Sequence, residues 1–417
     1  MRAEGGQAIV LIAIVMAGLT LGVGLAADTG ELYVARRAAQ TAADSAAWAG
    51  AVVLLGGGTQ AAAAAAATAD ATRNGLTAGP GTTITVSAPP SSGTYAGDGS
   101  FVEVNIVRQV TTRFFPGPRP VSVRSVGGAT RSGAGHAILA THASSADALT
   151  VGSGTLAVTG SGIQVNSTST SAINIGSGNI ASTYTNVRGN VAAGDAGKIS
   201  PTATTGAAVV ADPFLNLPGP TTTGMPVRAT DGLNISASVT LDPGLYIGGI
   251  NVRLNPTVVT LNPGIYVVRP GPTNNFGFTV SNNAQVRMAA ATGGVLIFAT
   301  HTSYPGAAGG SPTCATVDLN SGGLIVLRPQ TVGSYAGMTI YLDRSCTTTV
   351  QFRGGGNWTL NGTVYLPSAT FSLGGTSGVA QNIQIVAQRV ALSGTSSLTI
   401  AYTNTNVSGG RVPALVE

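Results

Sequence analysis

The sequence predicts a mainly β protein with a long N-terminal membrane-spanning helix, a small α+β module and then a parallel β-solenoid (β-helix). The segment from Ala8 to Ala27 has no ionisable side chain, which favours a membrane helix. Only 8% of the 417 residues are charged, against about 25% in ordinary soluble domains, although 43% are hydrophobic. Short Val, Ile and Leu runs alternate with Gly, Asn, Ser and Pro turns through the second half, which favours β structure.

Changes of pattern along the chain predict its domain boundaries. The helical pattern is interrupted by glycines at 56–58, resumes in the alanine run 61–67 and ends near Asn74 and Gly75. From Thr82 the apolar residues alternate with a period of two, as in strands. We expect a membrane anchor over 1–27, an extracytoplasmic alanine-rich helix over 28–75, the α+β module over 76–132, the solenoid over 133–404 and a C-terminal tail over 405–417.

The apolar segment 8–27 is long enough to cross a bilayer. At about 1.5 Å per helical residue it matches a hydrocarbon core of roughly 30 Å. Gly18, Gly22 and Ala26 are four residues apart, a spacing typical of helix association in membranes. A cleaved secretory signal is the alternative, with Gly24, Leu25 and Ala26 as a small-x-small cleavage site. Either interpretation exports the rest of the chain.

Beyond the span, apolar residues, most of them alanines, continue along one helical face. They recur at steps of three and four, as in a heptad seam, and are Leu32, Ala35, Ala39, Ala42, Ala46, Ala49 and Val53. Alanines bury little area, so we expect this seam to allow close approach to another helix.

These N-terminal residues resemble a known family. The segments GGQAIVLIAIV and GLAADTGELYVARRAAQTAADSAAWAGA are similar to the start of TadG-like proteins of the Tad (tight adherence, Flp) pilus systems. The matching positions are Asp28, Gly30, Tyr33, Ala35, Arg36, Gln40, Ala42, Ala43, Asp44, Ala46, Ala47, Ala49 and Gly50. The resemblance covers roughly the first 50 residues and implies partners in the membrane and among other pilus-machinery subunits.

One departure separates the chain from the related pilin-like TadE proteins. Those proteins carry a glutamate at the fifth position after the cleavage glycine, where this chain has Leu11 after Gly6. The resemblance therefore implies a retained anchor rather than a processed major pilin. A pilin-like filament subunit built through the heptad seam remains an alternative.

Charge is sparse and mostly arginine. The formal net charge is +5, and an acid-free stretch that contains Phe114 and Phe115 carries Arg108, Arg113, Arg119, Arg124 and Arg131. Such a stretch can touch anionic lipid headgroups. We expect instead solvated strand faces, and nucleic acid is not an expected partner because no nucleic-acid motif accompanies the arginines. Basic residues flank the span on both sides, but the Thr-rich, lysine-poor body indicates an extracytoplasmic location for a single-pass protein.

An internal repeat predicts the solenoid over 133–404. The segment LDPGLY starting at Leu241 returns as LNPGIY starting at Leu261, an offset of one solenoid coil. Two similar hairpins in a β-sandwich are the alternative. The landmarks Asn166-Ser167 and Asp212-Pro213-Phe214 also resemble the C-terminal region of TadG-like proteins. The two cysteines, Cys314 and Cys346, most simply form a disulfide between neighbouring coils, with two separate buried thiols as the alternative.

Candidate chemistry in the solenoid is weak. The acids after residue 132 are scattered, several precede proline or glycine in turns, and Asp343-Arg344 beside Cys346 is the best cluster. The three histidines are far apart in sequence. We therefore predict no catalytic residue, cofactor or metal, and a non-enzymatic pilus component that acts in assembly, anchoring or surface adhesion, possible ligands of the solenoid being glycans or surfaces. The alternative is a membrane-anchored carbohydrate-active β-helix enzyme that uses Asp343 or Asp318.

Overall fold

The computed structural model describes residues 5–55, 58–131, 135–254, 256–289, 293–320, 322–355, 358–375, 381–403, 407–408 and 411–417. The chain forms two compact units, an N-terminal unit (Met1–Thr130 with Arg411–Glu417) and a solenoid unit (Arg131–Gly410). The predicted boundaries at 132–133 and 404–405 fall outside the described residues.

The elements follow one another in this order. The helices are α1 (Gly5–Leu55), α2 (Gln60–Arg73) and a 3-10 turn at Ala196–Lys198. The strands are β1 (Thr82–Ser87), β2 (Phe101–Val110), β3 (Arg119–Arg131), β4 (Ile138–Ala140), β5 (Leu149–Val151), β6 (Thr155–Thr159), β7 (Ile163–Val165), β8 (Ile173–Ile175), β9 (Asn179–Ala181), β10 (Thr185–Val187), β11 (Ile199–Ser200), β12 (Val227–Ala229), β13 (Leu233–Ile235), β14 (Val239–Leu241), β15 (Gly244–Ile247), β16 (Ile250–Val252), β17 (Val258–Leu261), β18 (Gly264–Arg269), β19 (Phe278–Ser281), β20 (Gln285–Met288), β21 (Val295–Ala299), β22 (Val317–Asn320), β23 (Ile325–Leu327), β24 (Met338–Leu342), β25 (Val350–Arg353), β26 (Trp358–Gly374), β27 (Asn382–Leu392), β28 (Leu398–Ala401) and β29 (Arg411–Leu415).

Helix α1 is continuous over 51 residues, as the apolar run and the following alanine pattern predicted. Its first part is long and apolar enough to cross a membrane. Thr20 donates its hydroxyl to the carbonyl of Met16, so this polar group is satisfied within the helix, as a lipid environment requires. The same helix therefore contains the predicted span and the first part of the segment predicted as an alanine-rich helix, whose alanine run 61–67 lies in α2.

The alanine-rich part of α1 packs against α2 and an antiparallel sheet. Thr59 caps helix α2, and its hydroxyl accepts the N–H of Ala62. The buried alanines Ala67 and Ala71 of α2 lie in one cluster with Ala39, Ala42 and Ala46 of α1. Strands β1, β2 and β3 pair antiparallel. A Cβ added to Gly127 on β3 would lie 2.4 Å from the Ala47 carbonyl oxygen, so only glycine allows the sheet to approach the helix this closely.

The C-terminal residues return to this sheet. The Val126 N–H donates to the carbonyl of Glu417 at 2.8 Å, and the Val416 N–H donates back to the carbonyl of Val126 at 2.9 Å. Residues 411–417, which we expected as part of a tail, therefore contain strand β29 beside β3.

The solenoid unit is a three-sided parallel β-helix, which confirms the predicted fold class. Strands stack in parallel on three faces, and we name each face by its strands in spatial order. Face 1 consists of β12, β15, β18, β21, β24, β26, β27, β4, β7 and β10. Face 2 consists of β13, β16, β19, β22, β25, β26, β27, β5 and β8. Face 3 contains β14, β17, β20, β23 and β26 in one stack, and β28, β6, β9 and β11 in another.

The coils do not stack in sequence order. The chain starts the solenoid at β4, and β4 pairs in parallel with β27, near the end of the solenoid sequence. Coils first run from β4 to β11, residues 208–226 then cross to the opposite end of the stack, and coils from β12 to β28 return towards the start. The start and the end of the solenoid sequence consequently lie in adjoining coils in the interior of the stack.

Inward side chains form continuous ladders. On face 1 the ladder contains Tyr266, Ile297, Ile340, Val364, Ile385, Ile138 and Ile163. On face 2, Ile250 pairs with Phe278, and the same position continues through Phe371, Val390 and Leu149 to Ile173. These residues belong to one buried core that runs along the unit, and the burial of this apolar surface stabilises the stack.

The repeat that predicted the solenoid occupies two neighbouring coils. Leu241 pairs with Leu261, which confirms the offset of one coil. The rings of Tyr246 and Tyr266 stack with centroids 5.9 Å apart, and each hydroxyl donates to the carbonyl four residues earlier, Asp242 and Asn262 respectively. The Pro-Gly-x-Tyr sequence thus forms a corner between two strands, and the buried tyrosine stabilises this corner through its hydrogen bond to the backbone.

Candidate functional site

The first part of α1 exposes apolar side chains on all sides. The exposed residues include Ile9, Val10, Leu11, Ile12, Ile14, Val15, Met16, Leu19, Leu21, Val23 and Leu25. A helix that is apolar all round is suited to lipid rather than to water. Leu11 is 64% exposed within this segment.

Gly18, Gly22 and Ala26, which we predicted to pack against another membrane helix and call the membrane ridge, have no covering neighbour among the described residues. A Cβ added to Gly18 or Gly22 would have no neighbour within 4 Å, and Ala26 is exposed. The structure thus leaves this ridge available and does not itself supply a contacting helix among the described residues.

The alanine seam, in contrast, is occupied by the protein itself. Ala39, Ala42 and Ala46 are fully buried in a cluster with α2 and with the sheet residues Val102, Val104, Ile106 and Val123. Ala35 is buried and Leu32 half-buried against Val110 and Val121, and Ala49 is half-buried. The expected close approach occurs, but to α2 and β2–β3 of the same chain. The sequence spacing indicated a buried face without identifying what buries it.

Asp28 forms a site that sequence analysis did not assign. It lies one residue after the apolar run and is only 1% exposed. Its Oδ1 accepts the N–H of Arg113 at 2.9 Å, and its Oδ2 accepts the N–H groups of Phe114 and Phe115, both at 2.7 Å. One carboxylate thereby fixes the turn between β2 and β3 to helix α1. The resemblance included Asp28, but its partners are far away in sequence.

A second buried carboxylate organises the opposite part of the sheet. Glu103 accepts the Arg124 Nε–H at 2.8 Å and the Asn105 amide at 2.8 Å, and further donors come from Ser91 and Ser92. Burial opposes ionisation of Glu103, but these hydrogen bonds, led by Arg124, outweigh it and hold its pKa well below its usual value. Arg124 also pairs with Glu417. One of the sequence's candidate basic residues is thus a structural ion-pair partner.

The two cysteines form the predicted disulfide. Cys314 lies between β21 and β22, Cys346 follows β24, and their Cα atoms are 5.8 Å apart. Since β21 and β24 are paired neighbours on face 1, the bond joins adjacent coils. The alternative of two separate thiols is wrong for this structure.

The solenoid carboxylates nearby are mostly engaged in turns. Asp343 accepts hydrogen bonds from Thr300 at 2.7 Å and from the backbone and hydroxyl of Ser345. Asp318 differs, because its Oδ1 is buried without a hydrogen-bond partner and Arg353 lies 3.8 Å from its other oxygen. Burial raises the pKa of Asp318, and the charge of Arg353 opposes this.

The described histidines do not converge. The His136 Nδ1 lies 3.0 Å from the Tyr184 hydroxyl, and burial lowers its pKa. The His142 Nδ1 accepts the Ser145 N–H. Among the residues the structure describes, no group of three or more His, Cys, Asp or Glu side chains is arranged to hold a metal ion.

The outer side of face 1 is apolar and is covered by an extended segment, residues 208–226, which we call the strap. Tyrosine hydroxyls from successive coils donate to its carbonyls: Tyr341 to Leu217 at 3.0 Å, Tyr335 to Pro218 at 3.0 Å and Tyr304 to Pro220 at 2.7 Å. Phe214 of the strap packs edge-on against Tyr365 of face 1. The strap therefore covers an apolar cluster on the outer side of this face.

Asp212 anchors the strap at the position of the Asp-Pro-Phe landmark. Its Oδ2 accepts the Tyr365 hydroxyl at 2.6 Å and lies 3.4 Å from an Arg344 nitrogen. Burial, and then the hydrogen bond to Asp212, raise the pKa of Tyr365. The Arg344 of the predicted Asp343-Arg344 cluster thus binds the strap.

Comparison with known proteins identifies the N-terminal segment. A family model described as "Putative Flp pilus-assembly TadE/G-like" matches residues 6–53, which is nearly the whole of α1. No curated protein and no solved structure matches the chain.

Proposed function

We propose that the chain, whose residues 6–53 match the TadE/G-like pilus-assembly model, is a retained, membrane-anchored, non-enzymatic component of a Tad/Flp-type pilus or related secretion apparatus. In this role α1 holds the protein in the membrane and contacts other subunits of the machinery. The solenoid projects outside the cytoplasm and acts in pilus assembly, anchoring or adhesion.

The observation that carries the proposal is the division of α1 into two surfaces. The first part of residues 6–53 is exposed and apolar, as a segment surrounded by a bilayer would be. The alanine face that follows is buried against α2 and β2 of the same chain. A filament subunit needs a long free helix to pack against its copies. Here the alanine face is already filled by α2 and β2, which supports an anchor rather than a pilin-like subunit.

Two further features support export and retention. The disulfide between Cys314 and Cys346 is of a kind that persists in oxidising compartments outside the cytoplasm. Gly24 and Asp28 contact the β2–β3 turn within one uninterrupted helix, so cleavage after Ala26 would separate groups that pack together.

The non-enzymatic part of the proposal is supported by the use of the carboxylates. Asp343 and Asp212 have their oxygens engaged by turn and strap groups. Hydrolysis of a polysaccharide typically needs paired carboxylates. Turnover of a polysaccharide by the full-length protein, lost on Asp318→Asn, would contradict this part.

The test of the anchor role uses the membrane ridge. In a strain lacking the gene, the wild-type chain should restore pili counted by electron microscopy, whereas Gly18→Leu/Gly22→Leu should restore few, because the leucines fill the ridge. The matched control is Ala13→Leu/Ala17→Leu, which enlarges exposed residues on the opposite side of the helix, at 100° per residue.

Membrane levels of both double variants are compared by immunoblot. Normal pili with the glycine variant, or equal loss with the alanine control, would contradict a specific contact through the ridge. A reporter enzyme that is active only outside the cytoplasm, fused after Glu417, tests the proposed orientation.

A further inference from the structure

The β2–β3 hairpin runs along α1 towards the membrane segment. Near its far end Val102 contacts Gly50, and close to the turn Val110 and Val121 pack with Leu32 and Ala35. The turn between the strands, residues 111–118, which we call the hairpin tip, continues in the same direction to Asp28. The tip is thus the part of the sheet nearest the apolar run.

Asp28 fixes the tip in place. Three consecutive backbone N–H groups of the tip donate to its carboxylate, and the Thr112 hydroxyl closes the turn by donating to the Phe115 carbonyl at 3.0 Å. A carboxylate that receives several backbone N–H bonds holds a loop strongly, because such charge-assisted bonds exceed neutral ones in strength. The tip therefore has a defined position against the helix.

Phe114 lies beyond Asp28, beside the apolar segment itself. A Cβ added to Gly24 would lie 2.5 Å from the Phe114 ring, so the ring packs directly on the helix backbone there. Gly24 is four residues before Asp28, about 6 Å further along the helix axis towards the membrane. Yet Phe114 is 51% exposed, and Pro116 and Pro118 of the same turn are also exposed.

Positive charge flanks this exposed apolar tip. Arg113 and Arg119 are exposed, and the Arg119 guanidinium lies 5.4 Å from the centre of the Phe115 ring. An aromatic group with neighbouring arginines matches the chemistry of a bilayer surface, where rings lie at the boundary of the acyl chains and cations meet anionic headgroups.

We propose that the hairpin tip is a second membrane contact, which places Phe114 in the headgroup–acyl boundary of the bilayer that α1 spans, with Arg113 and Arg119 at anionic lipid phosphates. The occupant is lipid because the exposed ring is continuous with the lipid-facing surface of α1. The proposal depends on α1 spanning a bilayer, which the proposed function also assumes, but not on any role in a pilus. Asp28 is a positioning residue for this contact.

The test places an environment-sensitive fluorophore on the full-length protein in nanodiscs that contain phosphatidylglycerol. The chain has no free cysteine, so Phe114→Cys provides a single labelling site. Ala96→Cys, in the exposed loop before β2, is the matched control at the other end of that strand. Lipids with a quencher in the upper acyl chain should quench the fluorophore at position 114. The quenching there should be at least about twice that at position 96.

Two further measurements control for the case in which Phe114→Cys itself alters the structure of the hairpin tip. In the unsubstituted protein, lipids with a photoreactive acyl chain should form adducts with residues 111–118 as well as with 8–27. Asp28→Ala, which removes the carboxylate, should reduce quenching at position 114 to near the control value while adducts on 8–27 persist.

Equal quenching at positions 114 and 96, with adducts confined to 8–27, would overturn the proposal. The exposed Phe114 ring would then be better explained as a contact for another protein. Failure of pilus restoration by the ridge variants does not bear on it, because the nanodisc contains no other protein. Loss of adducts on 8–27 as well would contradict the membrane span on which both proposals depend.

Discussion

Two buried carboxylates, Asp28 and Glu103, show how single residues shape the N-terminal unit. Asp28 accepts three backbone N–H groups of the β2–β3 turn, and Glu103 accepts donors from its own strand, from Arg124 on β3 and from the loop that contains Ser91 and Ser92. A buried charge is tolerated only when it is paired or fully hydrogen-bonded. Both residues are therefore expected to be sensitive to isosteric amide substitution.

Glu103→Gln should destabilise the sheet of the N-terminal unit. The amide cannot accept all the donors and leaves Arg124 without its buried partner, a loss of about 3 kcal/mol. Hydrogen exchange of peptides from β2 in the full-length protein should accelerate. Glu417→Gln, which alters the more exposed partner of Arg124, is the control and should have a smaller effect.

The stability that Glu103 contributes should also depend on pH. Its pKa is lowered in the folded state, so the contribution is complete above the unfolded value of 4.5 and is lost as the pH falls below it. Exchange of β2 in the wild type should therefore rise below this pH more steeply than in Glu103→Gln. If exchange of β2 depended on pH in the same way in both proteins, Glu103 would not be the source of the acid sensitivity.

At the scale of elements, the strap and the disulfide connect coils that are otherwise held only by strand pairing and core packing. The strap crosses several coils of face 1 and is bound by Tyr304 after β21, by Tyr335 and Tyr341 at β24, and by Tyr365 on β26. The disulfide joins two neighbouring coils on the same side. Each makes a specific prediction.

Tyr304→Phe/Tyr341→Phe should loosen the strap. Two hydrogen bonds to strap carbonyls are lost, each worth about 1 kcal/mol, so exchange of residues 208–226 should accelerate roughly tenfold or more. Tyr246→Phe is the control, because its hydroxyl donates to Asp242 and not to the strap. Equal acceleration of the strap by the control would show that the hydroxyls act through the core instead.

The strap contacts should weaken at high pH. Burial raises the pKa of Tyr304 to about 12 from its ordinary 10.0. Its contribution is complete below the unfolded pKa and is lost as the pH rises through the folded one, between about pH 10 and 12. Proteolysis of the strap should increase over this range in the wild type and depend less on pH in Tyr304→Phe.

Removal of the disulfide should lower the free energy of unfolding of the solenoid unit. The bond closes a loop between cysteines 32 positions apart, for which chain entropy predicts about 3–4 kcal/mol. Cys314→Ser/Cys346→Ser should therefore unfold at lower urea concentration than the oxidised wild type. A reducing agent should lower the urea midpoint of the wild type and leave that of the variant unchanged. Equal midpoints of the oxidised wild type and the variant would contradict a stabilising role of the disulfide.

At the scale of the whole molecule, the order of coils sets where the solenoid is weakest. Each coil is stabilised by its neighbours, so the coils at the two ends of the stack, with one neighbour each, should open most easily. These contain β12–β14 at one end and β10–β11 at the other. The first and last strands of the solenoid sequence, β4 and β28, lie in the interior of the stack.

Hydrogen exchange should follow this spatial order. Peptides from β12–β14 and β10–β11 should exchange at least about tenfold faster than those from β26 and β27, although β27 is near the end of the sequence. The wild-type protein serves for the whole measurement, with β26 as the internal reference. Fastest exchange at β4 and β27 would contradict the interior junction.

Sequence patterns predicted the features that depend on local order. An uncharged run predicts a membrane helix wherever it occurs, and the Leu241 and Leu261 repeats mark neighbouring coils because a solenoid places such repeats together. The disulfide followed from cysteine number and compartment. These inferences need no knowledge of distant partners.

The remaining features depend on pairs that sequence spacing does not specify. Alanines at steps of three and four suit a helix in another subunit as well as α2 and β2, so the seam's partner was undetermined. The donors to Asp28 lie about 85 positions away, and β4 pairs with β27 without any visible sequence echo. Packing compatibility, rather than a motif, determines these contacts.

The interior junction of β4 with β27 also affects how such a molecule can change in length during evolution. Extra coils inserted near residues 204 or 226 would extend one end of the stack or the other, while the chain would still leave and rejoin the solenoid at the same two adjoining coils. The number of coils can therefore change while the chain still enters and leaves the solenoid at the same two strands. The reach of the molecule and its attachment are free to vary independently.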